Sequence, residues 1–148
     1  MQLKKRISGQ AGETAAAEYL RRKGYKILTR NYSEYHVGEI DIVAHKGDTL
    51  VIVEVKSRSS DTYGKPSEAV TYDKQRKLIR TTELFLRKFV KNGILEYTQK
   101  IWLFNVDRHL SVKKIRFDVA EVYMTRESEL ININHIESAF GGWKDKWQ

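Results

Sequence analysis

The chain has 148 residues, a length that suits one domain around a single core. Apolar residues make up 41% and charged residues 31%, which excludes a disordered polar tract, and the lack of cysteine excludes disulfide frameworks and Cys-ligated zinc or iron–sulfur sites. Lys plus Arg number 27 against 19 Asp plus Glu, a formal +8 that points to a polyanionic partner, nucleic acid before anionic membrane, and equally suits a basic soluble surface.

The start, MQLKKRISG, is basic but lacks the apolar stretch of a signal peptide, and no apolar run approaches the ~20 residues of a membrane span. A cytoplasmic protein with no membrane partner is therefore expected. Residues 10–23 read as a helix closed by Gly24, with Ala16, Ala17 and Leu20 as its small apolar stripe and Glu13 one turn upstream on the same side. Strands follow at 25–32, 38–44 and 49–57, the last two with strict alternation and β-branched enrichment. A polar loop over 57–65 leads to a helix over 71–90, with Leu78, Thr82, Phe85 and Phe89 facing inward. Lys74, Arg76, Lys77 and Arg80 load its first half with positive charge, against the preference of the helix dipole, which hints at an external anion. Two more strands are expected at 101–107 and 115–122, then a short helix or turn in ININHIESAF and a flexible aromatic tail over 141–148 carrying Trp143 and Trp147. With no repeat and no linker, the order α-β-β-β-α-β-β predicts a single α/β domain over 1–148, a mixed sheet with helices on both faces.

The hairpin GEIDIVAHKGDTLVIVEVKSR carries charges on valine-rich strands, where burial is costly. A two-residue Gly47-Asp48 turn pairs Lys46 with Thr49 and so sets Asp41 opposite Glu54 and Glu39 opposite Lys56. Alternation then puts all four on one face. Directly opposed carboxylates repel unless a proton, a cationic side chain or a metal ion relieves them. Mg²⁺ or Mn²⁺ suits such a pair, because these hard cations take oxygen ligands and commonly use one or two protein carboxylates. A solvated hairpin face with an ordinary Glu39–Lys56 cross-strand pair fits the same spacing, and spacing alone does not separate the two.

The segments GQAGETAAAEYL, ILTRNY, GEIDIVA, LVIVEVKSRSS, YGKPSEAV, KQRKL, IRFDVAEV and HIESAF span nearly the whole chain. In that order they resemble the YraN-like family of endonuclease-like bacterial proteins, within the PD-(D/E)XK superfamily of restriction-endonuclease-like and Holliday-junction-resolvase-like nucleases. The resemblance implies a restriction-endonuclease-like mixed β-sheet core flanked by helices. It makes Asp41 and Glu54 metal ligands and Lys56 the residue that positions water or stabilises charge. Glu13 matches the extra acid that resolvase-like members bring from the first helix, as catalytic residue and further metal ligand. Gln75 matches a polar residue that some members supply from the helix after the lysine strand, and Glu39 is accessory, beside Lys56 or the ion. Ile40 stands where the motif's proline would precede Asp41. Asp118 reads as structural, on a half-exposed face with Arg116.

The expected activity is hydrolysis of nucleic-acid phosphodiesters, DNA in preference to RNA, branched or repair intermediates included, with Mg²⁺ or Mn²⁺ as cofactor. Arg58 and the Lys74, Arg76, Lys77 and Arg80 face are the expected phosphate contacts, which position a backbone without reading sequence. Tyr32, Tyr35, Tyr63 and Tyr72 flank the site in sequence and suit base stacking as well as ordinary packing. A homodimer is compatible with the resemblance, since resolvase-like relatives act as dimers. Two other classes stay open: a non-catalytic nucleic-acid-binding module on the same fold, and an interaction or assembly protein that docks through its aromatic tail.

Overall fold

The computed structural model describes residues 2–64 and 68–141, the side chains of residues 2–8 excepted. Helix α1 (Gln2–Arg22) leads into strands β1 (Lys26–Glu34), β2 (Gly38–Lys46) and β3 (Thr49–Ser59). Helix α2 (Tyr72–Phe89) follows, then β4 (Val90–Lys91), β5 (Ile94–Ile101), β6 (Phe104–Ser111), β7 (Lys114–Met124) and β8 (Leu130–Phe140). A five-stranded sheet runs β1-β2-β3-β7-β8, and a three-stranded sheet runs β4-β5-β6. β3 and β7 are parallel and the other pairs of the large sheet are antiparallel, so the sheet is mixed. This is a restriction-endonuclease-like arrangement. Among the described residues, no helix is long and apolar enough to cross a membrane.

β3 and β7 lie at the centre of the large sheet and bury both faces over 50–53 and 117–124, so the alternation expected for 49–57 is corrected there to a continuous apolar run, LVIV. On one face α1 presses Ala16, Ala17 and Leu20 against Ile42, Ala44, Val51, Val53 and Val122. On the other, α2 packs Leu78, Phe85 and Leu86 against Ile40, Val43, Leu50 and Ile52, and Leu95 and Leu110 of the small sheet extend that layer. Each fully buried Leu or Ile contributes about 1.5–3 kcal/mol. Small residues let α1 sit close: a Cβ on Gly12 would lie 2.2 Å from Ser57 Oγ of β3.

Several expectations are corrected. The strand expected at 101–107 begins in a turn, because Trp102 takes a positive φ of 57° between β5 and β6. The apolar run IWLF carries no Gly, Pro or Asn to signal that turn, and Trp102 and Leu103 stay exposed at its tip. ININHIESAF is strand β8 rather than a helix or turn, its isoleucines and asparagines alternating along β7. Helix α1 starts earlier than expected, and Phe89 of α2 is half exposed while Leu86 takes its place in the core. Asp118 is not half exposed but buried: Arg116 grips both its oxygens at 2.8 Å, and His135 and the Ser138 amide complete its shell. Trp143 and Trp147 of the expected tail lie outside the described residues.

Candidate active site

The expected hairpin register holds where the strands pair, from Lys46 with Thr49 to Ile42 with Val53, and Gly47 takes the positive φ of 58° that the turn needs. The ladder stops there, so Asp41 and Glu54 are not a paired rung, nor are Glu39 and Lys56. Two changes of face explain the break. Arg30 and Ile42 face α1, whereas Tyr32 and Ile40, two residues along each strand, pack in the α2 layer. Asn31 makes the reversal in β1 with a φ of 53°, and Asp41 occupies the equivalent place in β2. Asp41 is thereby freed from either apolar layer, and its Oδ2 accepts the Val55 amide at 2.8 Å. The side chain replaces the main-chain acceptor lost where β2 and β3 part.

Glu54 lies on β3 one residue before Val55, with its side chain only 12% exposed. Its Oε1 stands 3.5 Å from Lys74 Nζ in the first turn of α2, and its buried Oε2 has no hydrogen-bond partner among the described residues. Burial first, then the Glu54 charge, push the Asp41 carboxyl up to about 7, opposed by the Val55 amide and the Lys74 ammonium. The Glu13 carboxyl is also raised, chiefly by burial and further by Asp41 and Glu39, although the Asn31 hydrogen bond and Arg30 pull the other way. Glu13, Glu39, Asp41 and Glu54, distant in sequence, thus share one acidic region.

The remaining expected residues divide. Glu13 is tethered toward Arg30 at 3.8 Å, and among the described residues no three acids or imidazoles close into a metal-holding group. Of the neighbouring acids, Glu54 acts on Asp41 more strongly than Glu39 does. Lys56 donates to the Glu68 carbonyl at 3.3 Å, and the Gln75 amide donates to the Val70 carbonyl at 2.9 Å, both in the segment before α2. Arg58 faces inward, its Nε 3.8 Å from a buried Glu121 that also accepts from Asn134. Lys74 turns to Glu54, so the anion implied by its unfavourable helix position is internal. Arg76, Lys77 and Arg80 stay exposed and line a surface cavity of about 670 Å³ with His36 and Ile79, beside the 88% exposed Tyr35. Sequence reading missed Arg30, Asn31 and Glu121. The first two carried a signal, because polar residues interrupt the apolar run of β1 where the faces swap.

A family model for uncharacterised protein family UPF0102 matches residues 12–122, from the glycine beside Glu13 to near the end of β7. The chain belongs to the UPF0102 family. UPF0102 proteins of Caldicellulosiruptor saccharolyticus and Persephonella marina are 42% and 38% identical to it over 139 and 134 residues. Those alignments cover 93% and 90% of this chain and 100% and 93% of the two relatives. A UPF0102 protein of Alkaliphilus oremlandii is 42% identical over 132 residues, covering 89% of this chain and 96% of that one. The UPF0102 match contains Glu13, Asp41, Glu54, Lys56 and Lys74, so the whole acidic site falls inside it. The names of these relatives state no activity. UPF0102 membership and the fold together make this a nuclease-like protein.

Proposed function

We propose that the protein is a divalent-metal-dependent nuclease that hydrolyses phosphodiester bonds of DNA, branched or flapped forms included. One observation carries the reading: where the β2–β3 ladder ends, the Asp41 carboxyl is raised to about 7 by burial and by the Glu54 charge, and Glu54 keeps a buried oxygen that has no hydrogen-bond partner among the described residues. Native proteins leave few buried polar atoms unpaired, and an ion is one accepted explanation. A pair of carboxylates fits Mg²⁺ or Mn²⁺, which use one or two protein carboxylates and keep places for water and phosphate oxygen. Asp41 and Glu54 would hold the ion, with Glu13 and Glu39 adding negative charge to the same region. When bound, the ion supplies charge stabilisation to a phosphoryl group and acidifies water.

The chain's own residues do the rest. The Val55 amide fixes one Asp41 oxygen, so the carboxylate is positioned before substrate arrives. Lys56, beside Glu54 on β3, gives electrostatic help toward the phosphate, a role that suits a charged ammonium near acids better than that of a free base. Arg76, Lys77 and Arg80 bind the phosphate backbone without reading bases. Tyr35, next to them, offers a face for an unpaired base.

The test is incubation of the purified protein with branched, flapped and single-stranded DNA in Mn²⁺. Cleavage by the wild type and none by an Asp41→Ala, Glu54→Ala double variant of native circular dichroism is expected. Equal cleavage by the double variant refutes the assignment.

A further inference from the structure

We propose that Lys74 is the site's own counter-cation, holding the Glu54 carboxylate when no divalent ion is bound and releasing it when one binds. The inference rests on the metal-dependent reading above and adds a residue that the E-x-K motif does not include.

Lys74 sits in the first turn of α2, where the helix dipole disfavours a cation. That turn is fixed by the Thr71 cap, whose hydroxyl accepts from the Lys74 amide. The disfavoured position is compensated by Glu54, 3.5 Å from the ammonium. Lys56, the lysine of the motif, does not compete for that role, because it donates to the Glu68 carbonyl.

The contact has the marks of a replaceable one. A tight charge-assisted hydrogen bond closes to about 2.7–2.9 Å, and this one stays at 3.5 Å. It leaves the second Glu54 oxygen buried and without a partner among the described residues. The Lys74 side chain is 42% exposed, so its flexible stem can carry the ammonium into water at little cost, whereas Glu54 stays enclosed. A divalent ion satisfies two acids more fully than one partly solvated ammonium does. On release, Lys74 becomes available to the phosphate that the ion recruits.

The test titrates Mn²⁺ into the full chain at pH 8, reading free Mn²⁺ by electron paramagnetic resonance. Removing a partly screened positive charge from beside the site strengthens metal binding, so Lys74→Gln is expected to bind Mn²⁺ roughly three- to tenfold tighter. Lys74→Arg, which keeps the charge, binds as the wild type does. In EDTA, Lys74→Gln melts at a lower temperature than the wild type, and Mn²⁺ raises its melting point by more. Unchanged or weaker binding by Lys74→Gln, with binding still lost in Glu54→Gln, overturns the inference and leaves the metal reading standing. If the wild type shows no Mn²⁺ binding that Glu54→Gln removes, the metal reading falls and the inference with it.

Discussion

The Asp41 carboxylate accepts the Val55 amide at 2.8 Å, beyond Ile42 and Val53, the last paired residues of β2 and β3. A side chain takes over where the backbone ladder ends, and this contact holds Asp41 beside Glu54 despite their repulsion. Asparagine keeps the acceptor and removes the charge; alanine removes both. Asp41→Asn is therefore expected to stabilise the metal-free protein at pH 8, by on the order of 1–3 kcal/mol, while abolishing activity. Asp41→Ala gains less, because the Val55 amide loses its partner. Urea unfolding of both variants in EDTA checks the order.

The pH dependence follows from the same pair. The Asp41 carboxyl is raised by burial and by Glu54 to about 7, from an ordinary value of 3.8. Between those values the folded protein holds a proton that the unfolded chain has released, so stability falls as pH rises through about 7. Glu13, raised chiefly by burial, acts in the same direction. Metal-free unfolding curves from pH 4.5 to 8 should show the decline, and Asp41→Asn should flatten it. His45, lowered chiefly by burial, acts in the opposite direction, so the difference between the two curves decides: a profile that Asp41→Asn leaves unchanged contradicts the assignment.

Asp118 has the opposite sign. Burial alone raises its carboxyl, but the hydrogen bonds from His135, Arg116 and the Ser138 amide outweigh it and hold it below its ordinary value. Its contribution is present above about pH 4 and is lost as pH falls through the lowered folded value. Asp118→Ala strips the partner from Arg116 and His135 and should cost about 3 kcal/mol. Urea unfolding at pH 7 measures this, and Mn²⁺ binding by the folded variant should be unchanged.

Arg76, Lys77 and Arg80 carry the proposed backbone contacts. Replacing all three with alanine should weaken duplex and branched DNA alike and make the dependence of log affinity on log salt shallower by roughly three. Fluorescence anisotropy across a salt series reads both. Loss of discrimination between DNA sequences, with the slope unchanged, would assign these side chains a different role.

The fold was legible wherever the hydrophobic period was undisturbed. The Gly47-Asp48 turn fixed the hairpin register, whereas the alternation expected for β3 and the half-exposed face expected for β7 gave way to burial on both faces. The exposed Trp102 turn was hidden because its residues are those of a strand, and β8 was hidden by its polar alternation. Of the site, Asp41 and Glu54 were found as a pair, but extending the ladder through them was an error of geometry. The swap of faces at Asn31 uses a positive φ that asparagine tolerates better than most residues, but tertiary packing decides that the faces swap there. Lys74 and Arg58 were read as phosphate contacts from charge, and the carboxylates near them, Glu54 at 3.5 Å and Glu121 at 3.8 Å, come from other elements that no local pattern connects to them.

The most direct measurement is anomalous diffraction from a crystal grown at pH 8 with Mn²⁺. The account predicts a peak between the Asp41 and Glu54 carboxylates, about 2.1 Å from an oxygen of each, with the Lys74 ammonium displaced from Glu54. A map without that peak, with Lys74 still against Glu54 at saturating Mn²⁺, would contradict it.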